Sequence, residues 1–165
     1  MKDIIQGHLS IKDVKIGLVT ARFNNPVTEK LEAAALSRFE ELAIPLENIY
    51  SVRVPGAVEI TLAAKWLIEQ GCDGVVTLGA VIRGETAHFD YVCNSVERGC
   101  TELMLQTGKP VAFGVLTTEN GEQAFARAGG KKGSKGAEAV DVVVEMLNLH
   151  KAINKLTIKE SKNVK

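Results

Sequence analysis

His88 is one of three histidines and the one that stands in a polar loop beside other chemistry-bearing residues, Arg83-Gly84-Glu85-Thr86. An imidazole titrates near neutral pH, so in such a place it can carry protons between reaction steps. Gly84 frees the loop backbone, and amide groups at a helix start can cradle an anion such as phosphate. Phe23 follows an apolar run, where its ring can either plug a core or lie open for stacking. Glu59 opens a helical pattern, where a carboxylate favours the helix dipole whether or not it also meets a ligand. Arg127 precedes the basic stretch Gly129-Gly130-Lys131-Lys132-Gly133-Ser134-Lys135-Gly136, whose plain reading is a flexible surface loop. That stretch lacks the G-x-x-x-x-G-K-[ST] register of a nucleotide-binding loop. No G-x-G-x-x-G follows an apolar run, and neither H-E-x-x-H nor G-x-S-x-G occurs, so dinucleotide binding, zinc proteolysis and serine hydrolysis have no signature. Cys72, Cys93 and Cys100 form no C-x-x-C pair and read as reduced, buried thiols, with neither a disulfide framework nor a metal expected.

These residues need a scaffold, and the apolar pattern supplies one. Four short runs rich in Val, Ile and Leu, at Ile16–Ala21, Ile49–Val54, Val75–Ala80 and Val111–Leu116, read as strands buried on both faces. Helical patterns lie between them. Asn25-Pro26 predicts a helix start, followed by the stripe Leu31, Ala35, Phe39 and Leu42. Ile60, Ala63, Ala64, Leu67 and Ile68 follow the 3.6-residue period up to Gly71. Val92, Val96, Cys100 and Leu103 mark a third helix closed by Gly108. A short fourth follows Thr118 as its N-cap, and a last one spans about 137–154 with Val140, Val143, Val144 and Leu147 inward. Alternating strands and helices predict an α/β fold, a three-layer αβα sandwich around a four-stranded parallel sheet. Such sheets bind ligands outside the carboxyl ends of their strands. That places Phe23, Ala57–Glu59, the loop at 81–88 and Phe113 at one mouth.

The composition fits one soluble domain: 165 residues, 45% hydrophobic and 24% charged. Twenty basic residues balance twenty acidic ones, so the basic excess of a nucleic-acid binder is missing. No apolar stretch is long enough for a membrane span, and residues 1–13 carry no apolar h-region, so a cytoplasmic location is expected. Residues 1–13 read as an N-terminal strand or arm added to a neighbouring copy's sheet, 14–154 as a single catalytic domain, and 155–165 as a flexible basic tail.

Several segments together resemble the lumazine synthase family. They are ARFN at Ala21–Asn24, VPGAVEI at Val54–Ile60, LGAVIRGETAHFDYVC at Leu78–Cys93, FGVLTTEN at Phe113–Asn120 and RAG-x-K-x-G-x-KG from Arg127. The resemblance covers about residues 2–154 in matching order. It implies a flavodoxin-like fold and condensation of 5-amino-6-(D-ribitylamino)uracil with 3,4-dihydroxy-2-butanone 4-phosphate, with neither metal nor organic cofactor. The product is 6,7-dimethyl-8-ribityllumazine, formed in the penultimate step of riboflavin biosynthesis. It also implies pentamers with sites between adjacent copies, and in some members a sixty-subunit icosahedral shell, with riboflavin synthase a candidate guest inside.

By matching position, the resemblance implies that Phe23 stacks on the pyrimidine and that Ala57, Val58 and Glu59 hold the ribityl chain and ring. Ala80, Val81 and Ile82 then read the uracil edge, and Phe113 comes from a neighbouring copy. Glu85 and Thr86 form the phosphate cradle, with Arg127 beside it and Lys135 near the phosphate end. His88 is the proton carrier. The chain departs from the family pattern at Val58, where many members carry an aromatic residue, at Ala80, where Thr is common, and at Ser134, where Asn is common. None of the three departures removes a charged or proton-transferring group. The rival readings are a riboflavin synthase on the same fold, a flavin-binding flavodoxin-type carrier and a shell protein with a vestigial site. The carrier needs a hydroxyl-rich loop after the first strand, where this chain has Arg22-Phe23-Asn24-Asn25-Pro26.

Overall fold

A computed structural model of the chain describes residues 4–162. It contains β1 (Ile16–Ala21), α1 (Asn25–Glu41), a 3₁₀ turn (Leu46–Asn48), β2 (Ile49–Val54), α2 (Ile60–Glu69), β3 (Gly74–Ile82), α3 (His88–Thr107), β4 (Val111–Thr118), α4 (Gly121–Arg127), β5 (Ala128–Gly130), β6 (Gly133–Ser134) and α5 (Lys135–Lys162). The main sheet has the order β2-β1-β3-β4, all parallel, with Ile16 beside both Ile49 and Gly74, and Val75 beside Val111. This is the expected α/β sandwich.

The two-residue alternation of a strand divides the core. Ile16, Leu18, Val76 and Leu78 pack with Leu31, Ala35 and Phe39 of α1 and with Val140, Val143, Val144 and Leu147 of α5. Val19, Ala21, Val75 and Val115 pack on the opposite face with Ile60, Ala63, Ala64 and Ile68 of α2 and with Val96, Cys100 and Leu103 of α3. Burying a side chain such as Leu31 or Phe39 contributes roughly 2–3 kcal/mol. The predicted apolar stripes are therefore the faces that close the two layers.

Four local details differ from the pattern reading. β2 is an edge strand with Tyr50, Ser51 and Arg53 exposed, because no strand and little helix covers its outer side. The residue capping α1 is Asn24 rather than Asn25, and it sits in the left-handed region with φ 61°. The cap of α4 is Asn120, whose side chain accepts from the Gln123 N–H at 2.9 Å, while Thr118 remains in β4. α5 runs on to Lys162, through part of the segment read as a tail, since nothing between 154 and 162 stops a helix once it has nucleated.

Over residues 4–13 the N-terminal arm pairs with no strand of its own chain, and part of it docks on α5. The Asn148 side-chain amide donates to the carbonyls of His8 (2.6 Å) and Ser10 (3.1 Å), and Ile11 enters the core. Gly7 lies so close to α5 that a Cβ there would meet the Glu145 carbonyl oxygen at 2.1 Å. Ile4, 90% exposed, projects beyond this anchorage, and residues 1–3 lie outside the described residues.

Candidate active site

The carboxyl ends of β1, β2 and β3 open on one side of the sheet, and backbone bonds tie their loops together. Arg22 N–H donates to the Val54 carbonyl (2.8 Å) and Phe23 N–H to the Pro55 carbonyl (3.1 Å). The Asn24 side-chain amide crosses to the other neighbour and donates to the Ala80 carbonyl (2.8 Å). These ends enclose a cleft of about 440 Å³. Phe23, Ala57, Val58 and Glu59 line it from the first two loops. Ala80, Val81, Ile82, Thr86 and His88 line it from β3 and the start of α3.

The walls are apolar and the polar groups few, as in sites that take a flat organic ring. The Phe23 ring is 71% exposed, so it does not plug the core and is free to stack. Glu59 accepts the Gly56 N–H at 2.9 Å through Oε2, which fixes the turn before α2. His88 is the first residue of α3, and its N–H makes a long bond of 3.4 Å to the Thr86 hydroxyl. Among the described residues, the N–H groups of Gly84, Glu85 and Thr86 have no hydrogen-bond partner. Free amides just before a helix start suit an anion.

The remaining candidate residues lie elsewhere in the chain. Phe113, Arg127 and Lys135 line a second cleft of about 380 Å³ along β4, the other edge strand, together with Thr117, Thr118 and Glu138. Arg127 donates to the Gln123 carbonyl at 3.0 Å, and Lys135 pairs with Glu138. Glu85 is exposed and lines neither cleft. Within one copy Arg127 and Thr86 therefore line different clefts, and the candidates divide between the two.

Several residues at the first cleft had no role assigned from sequence. Asn24, Phe89 and Val92 line it. Val92 is four residues past His88, so the helix repeat returns it to the same side, a spacing that could have marked it. Asn24 left no comparable signal, because its bond to Ala80 spans 56 positions. All three thiols are pushed above their ordinary range, mainly by burial, and remain protonated at neutral pH. Among the described residues no group of three His, Cys, Asp or Glu could hold a metal ion, and no helix is long and apolar enough to cross a membrane.

Comparison with known proteins gives a consistent family. Residues 13–151 match the family described as 6,7-dimethyl-8-ribityllumazine synthase. A protein of that name from Bdellovibrio bacteriovorus is 57% identical over 140 residues, covering 85% of this chain and 77% of that protein. Relatives of the same name come from Coxiella burnetii (51% identical; 84% of this chain, 93% of that protein) and Cytophaga hutchinsonii (50% identical; 79% and 83%). With a parallel sheet of matching type and the match running through both clefts, the chain belongs to the 6,7-dimethyl-8-ribityllumazine synthase family.

Proposed function

We infer that the chain is an enzyme that condenses 5-amino-6-(D-ribitylamino)uracil with 3,4-dihydroxy-2-butanone 4-phosphate to 6,7-dimethyl-8-ribityllumazine, with loss of phosphate and water. The observation that carries the reading is the first cleft, where an open aromatic ring, a strand end, a carboxylate, an imidazole and the free amides of Gly84 and Thr86 meet. Phe23 stacks on the pyrimidine, and the backbone at Ala80, Val81 and Ile82 reads the uracil edge. Ala57, Val58 and Glu59 hold the ribityl chain, for which Glu59 keeps Oε1 unpaired among the described residues. Glu85 and Thr86 give backbone amides to the phosphate, and His88 moves the protons.

The chemistry asks chiefly for orientation, since an aryl amine attacks a ketone readily. The amine adds to the carbonyl, and loss of water leaves an imine. Removal of a proton next to it expels phosphate, whose charge is met by the amides and by a cation. The resulting enol becomes a ketone, the ribitylamino nitrogen attacks it, and a second water leaves as the ring closes. His88, exposed at the helix start, can take and return the protons of these steps.

The cation is the reason for an assembly. Arg127 and Lys135 sit in the second cleft, so a neighbouring copy supplies them, with Phe113, to complete each site. We place the enzyme in pentamers, closing further into a sixty-subunit shell able to enclose riboflavin synthase. Two open sheet edges and the exposed series of Val58, just before α2, with Leu62 and Trp66 on it, spaced four residues apart, favour association. The protruding Ile4 and Ile5 suit addition to a neighbour's edge strand. Cytoplasmic residence suits three free cysteines.

Mixing the purified protein with both substrates, and separately with lumazine alone, tests the activity. Lumazine and phosphate appearing together in equal amounts are the expected result. Riboflavin formed from lumazine alone would instead identify a riboflavin synthase. Light scattering of the same sample reads the assembly size.

A further inference from the structure

Arg83 lies between the end of β3 and the anion-ready loop, and its guanidinium is held from several sides. Nε donates to Glu119, one residue past β4, at 2.8 Å. Nη1 and Nη2 donate to the two carboxylate oxygens of Asp90, in the first turn of α3, each at 3.3 Å. Cζ lies 4.1 Å from the centre of the Phe89 ring, which lines the first cleft. The Arg83 N–H donates to the Thr118 carbonyl at 2.9 Å.

These contacts close a small circuit. Arg83 precedes the loop 84–87 and Asp90 follows it, so their ion pair staples the two ends together. Glu119 fixes the staple to β4. Among the described residues the Gly84, Glu85 and Thr86 amides of the loop between have no partner, so backbone bonds through them do not hold it in shape. A single exposed ion pair contributes little, but a bidentate pair joined to a second carboxylate and a ring can hold geometry. The two carboxylates also offset the Arg83 charge, which makes it a poor partner for a phosphate.

We propose that Arg83 is a positioning residue, acting through Asp90 and Glu119 to hold the Gly84–Thr86 amides and His88 in the geometry that receives the phosphate of the substrate. It does not touch the substrate itself. The proposal rests on the reading of this loop as the phosphate cradle.

The variants Glu119→Gln, Arg83→Lys and Arg83→Gln separate this role from direct ligation. Each substrate is varied in turn, and inorganic phosphate is titrated against each protein by calorimetry. A positioning role predicts that Glu119→Gln raises KM for the butanone phosphate roughly fivefold and weakens inorganic phosphate binding in parallel. KM for the pyrimidine stays within about twofold, Arg83→Lys behaves like Glu119→Gln, and Arg83→Gln is worse. If Arg83 were a phosphate ligand, freeing it by Glu119→Gln would tighten phosphate binding, and that result overturns the proposal. Equal rises in both KM values overturn it too, as they mean general damage to the fold. Should Arg83→Gln fail to fold, Glu119→Gln and Arg83→Lys still decide. A parent protein that binds inorganic phosphate yet condenses nothing contradicts the functional reading, and the phosphate titration still decides the role of Arg83.

Discussion

Replacing Asn24 by alanine removes two things at once, and replacing it by glycine removes only one. The Asn24 side-chain amide donates to the Ala80 carbonyl at 2.8 Å, joining the end of β1 to the end of β3. Its backbone sits at φ 61°, ψ 41°, a conformation that asparagine and glycine accept and alanine resists. The lost hydrogen bond costs about 1 kcal/mol net, and forcing alanine into the left-handed region costs about 1 kcal/mol more. Asn24→Ala should therefore lose about 2 kcal/mol of stability and Asn24→Gly about 1 kcal/mol. For a chain of this size that is a fall in Tm of roughly 4–8 °C and 2–4 °C. Both variants also release the loop that carries Phe23, so KM for the pyrimidine should rise roughly fivefold even in Asn24→Gly. Urea unfolding at one fixed protein concentration, with steady-state kinetics on the same samples, measures all of it. Equal destabilisation by alanine and glycine would refute the backbone term. An unchanged pyrimidine KM in both would refute the placing of Phe23 by this bond.

Other consequences follow from single contacts. His88→Ala should lower turnover roughly tenfold to a hundredfold, and a variant that keeps the parent's kcat across the pH range contradicts the proton-carrier role. Gly136→Ala should cost about 3 kcal/mol, because its Cβ would lie 2.1 Å from the Leu31 carbonyl oxygen where α5 crosses α1. Gly121→Ala, with nothing within 4 Å of the new carbon, is the control that denaturant unfolding should find close to neutral. Burial raises the three thiols above their ordinary value of 9.0, so the unfolded chain loses thiol protons first as pH rises. Their contribution is thus intact below about pH 9 and declines above it, where unfolding midpoints should fall and a Cys100→Ser variant should fall less steeply.

The apolar periodicity marked the core well, because residues such as Leu31, Ala35 and Phe39 must share a face if the helix is to close a layer. β2 read less well: its mixture of Ile49, Val52 and Val54 with Tyr50, Ser51 and Arg53 is edge chemistry, and only the sheet order exposes that. The residues of the first cleft lie in short runs at strand ends, so topology alone gathers them. What local sequence does not carry is distance across the sheet. The Asn24–Ala80 bond and the Arg83–Glu119 bridge join remote positions. The separation of Arg127 from Thr86 likewise depends on β4 being an edge strand. Even the helix caps turned on this, for Asn24 uses its side chain to reach another strand instead of its own helix.

The proposed activity requires each site to be shared by two copies, one giving His88 and the other Arg127. His88→Ala and Arg127→Ala, each assembled alone, should carry the defect in every site and turn over at least roughly tenfold more slowly than the parent. Dissociating the two, mixing them in equal amounts and reassembling them should restore about one quarter of the parent rate, since one site in four then draws His88 from one variant and Arg127 from the other. A mixture no more active than its two components would contradict the shared site.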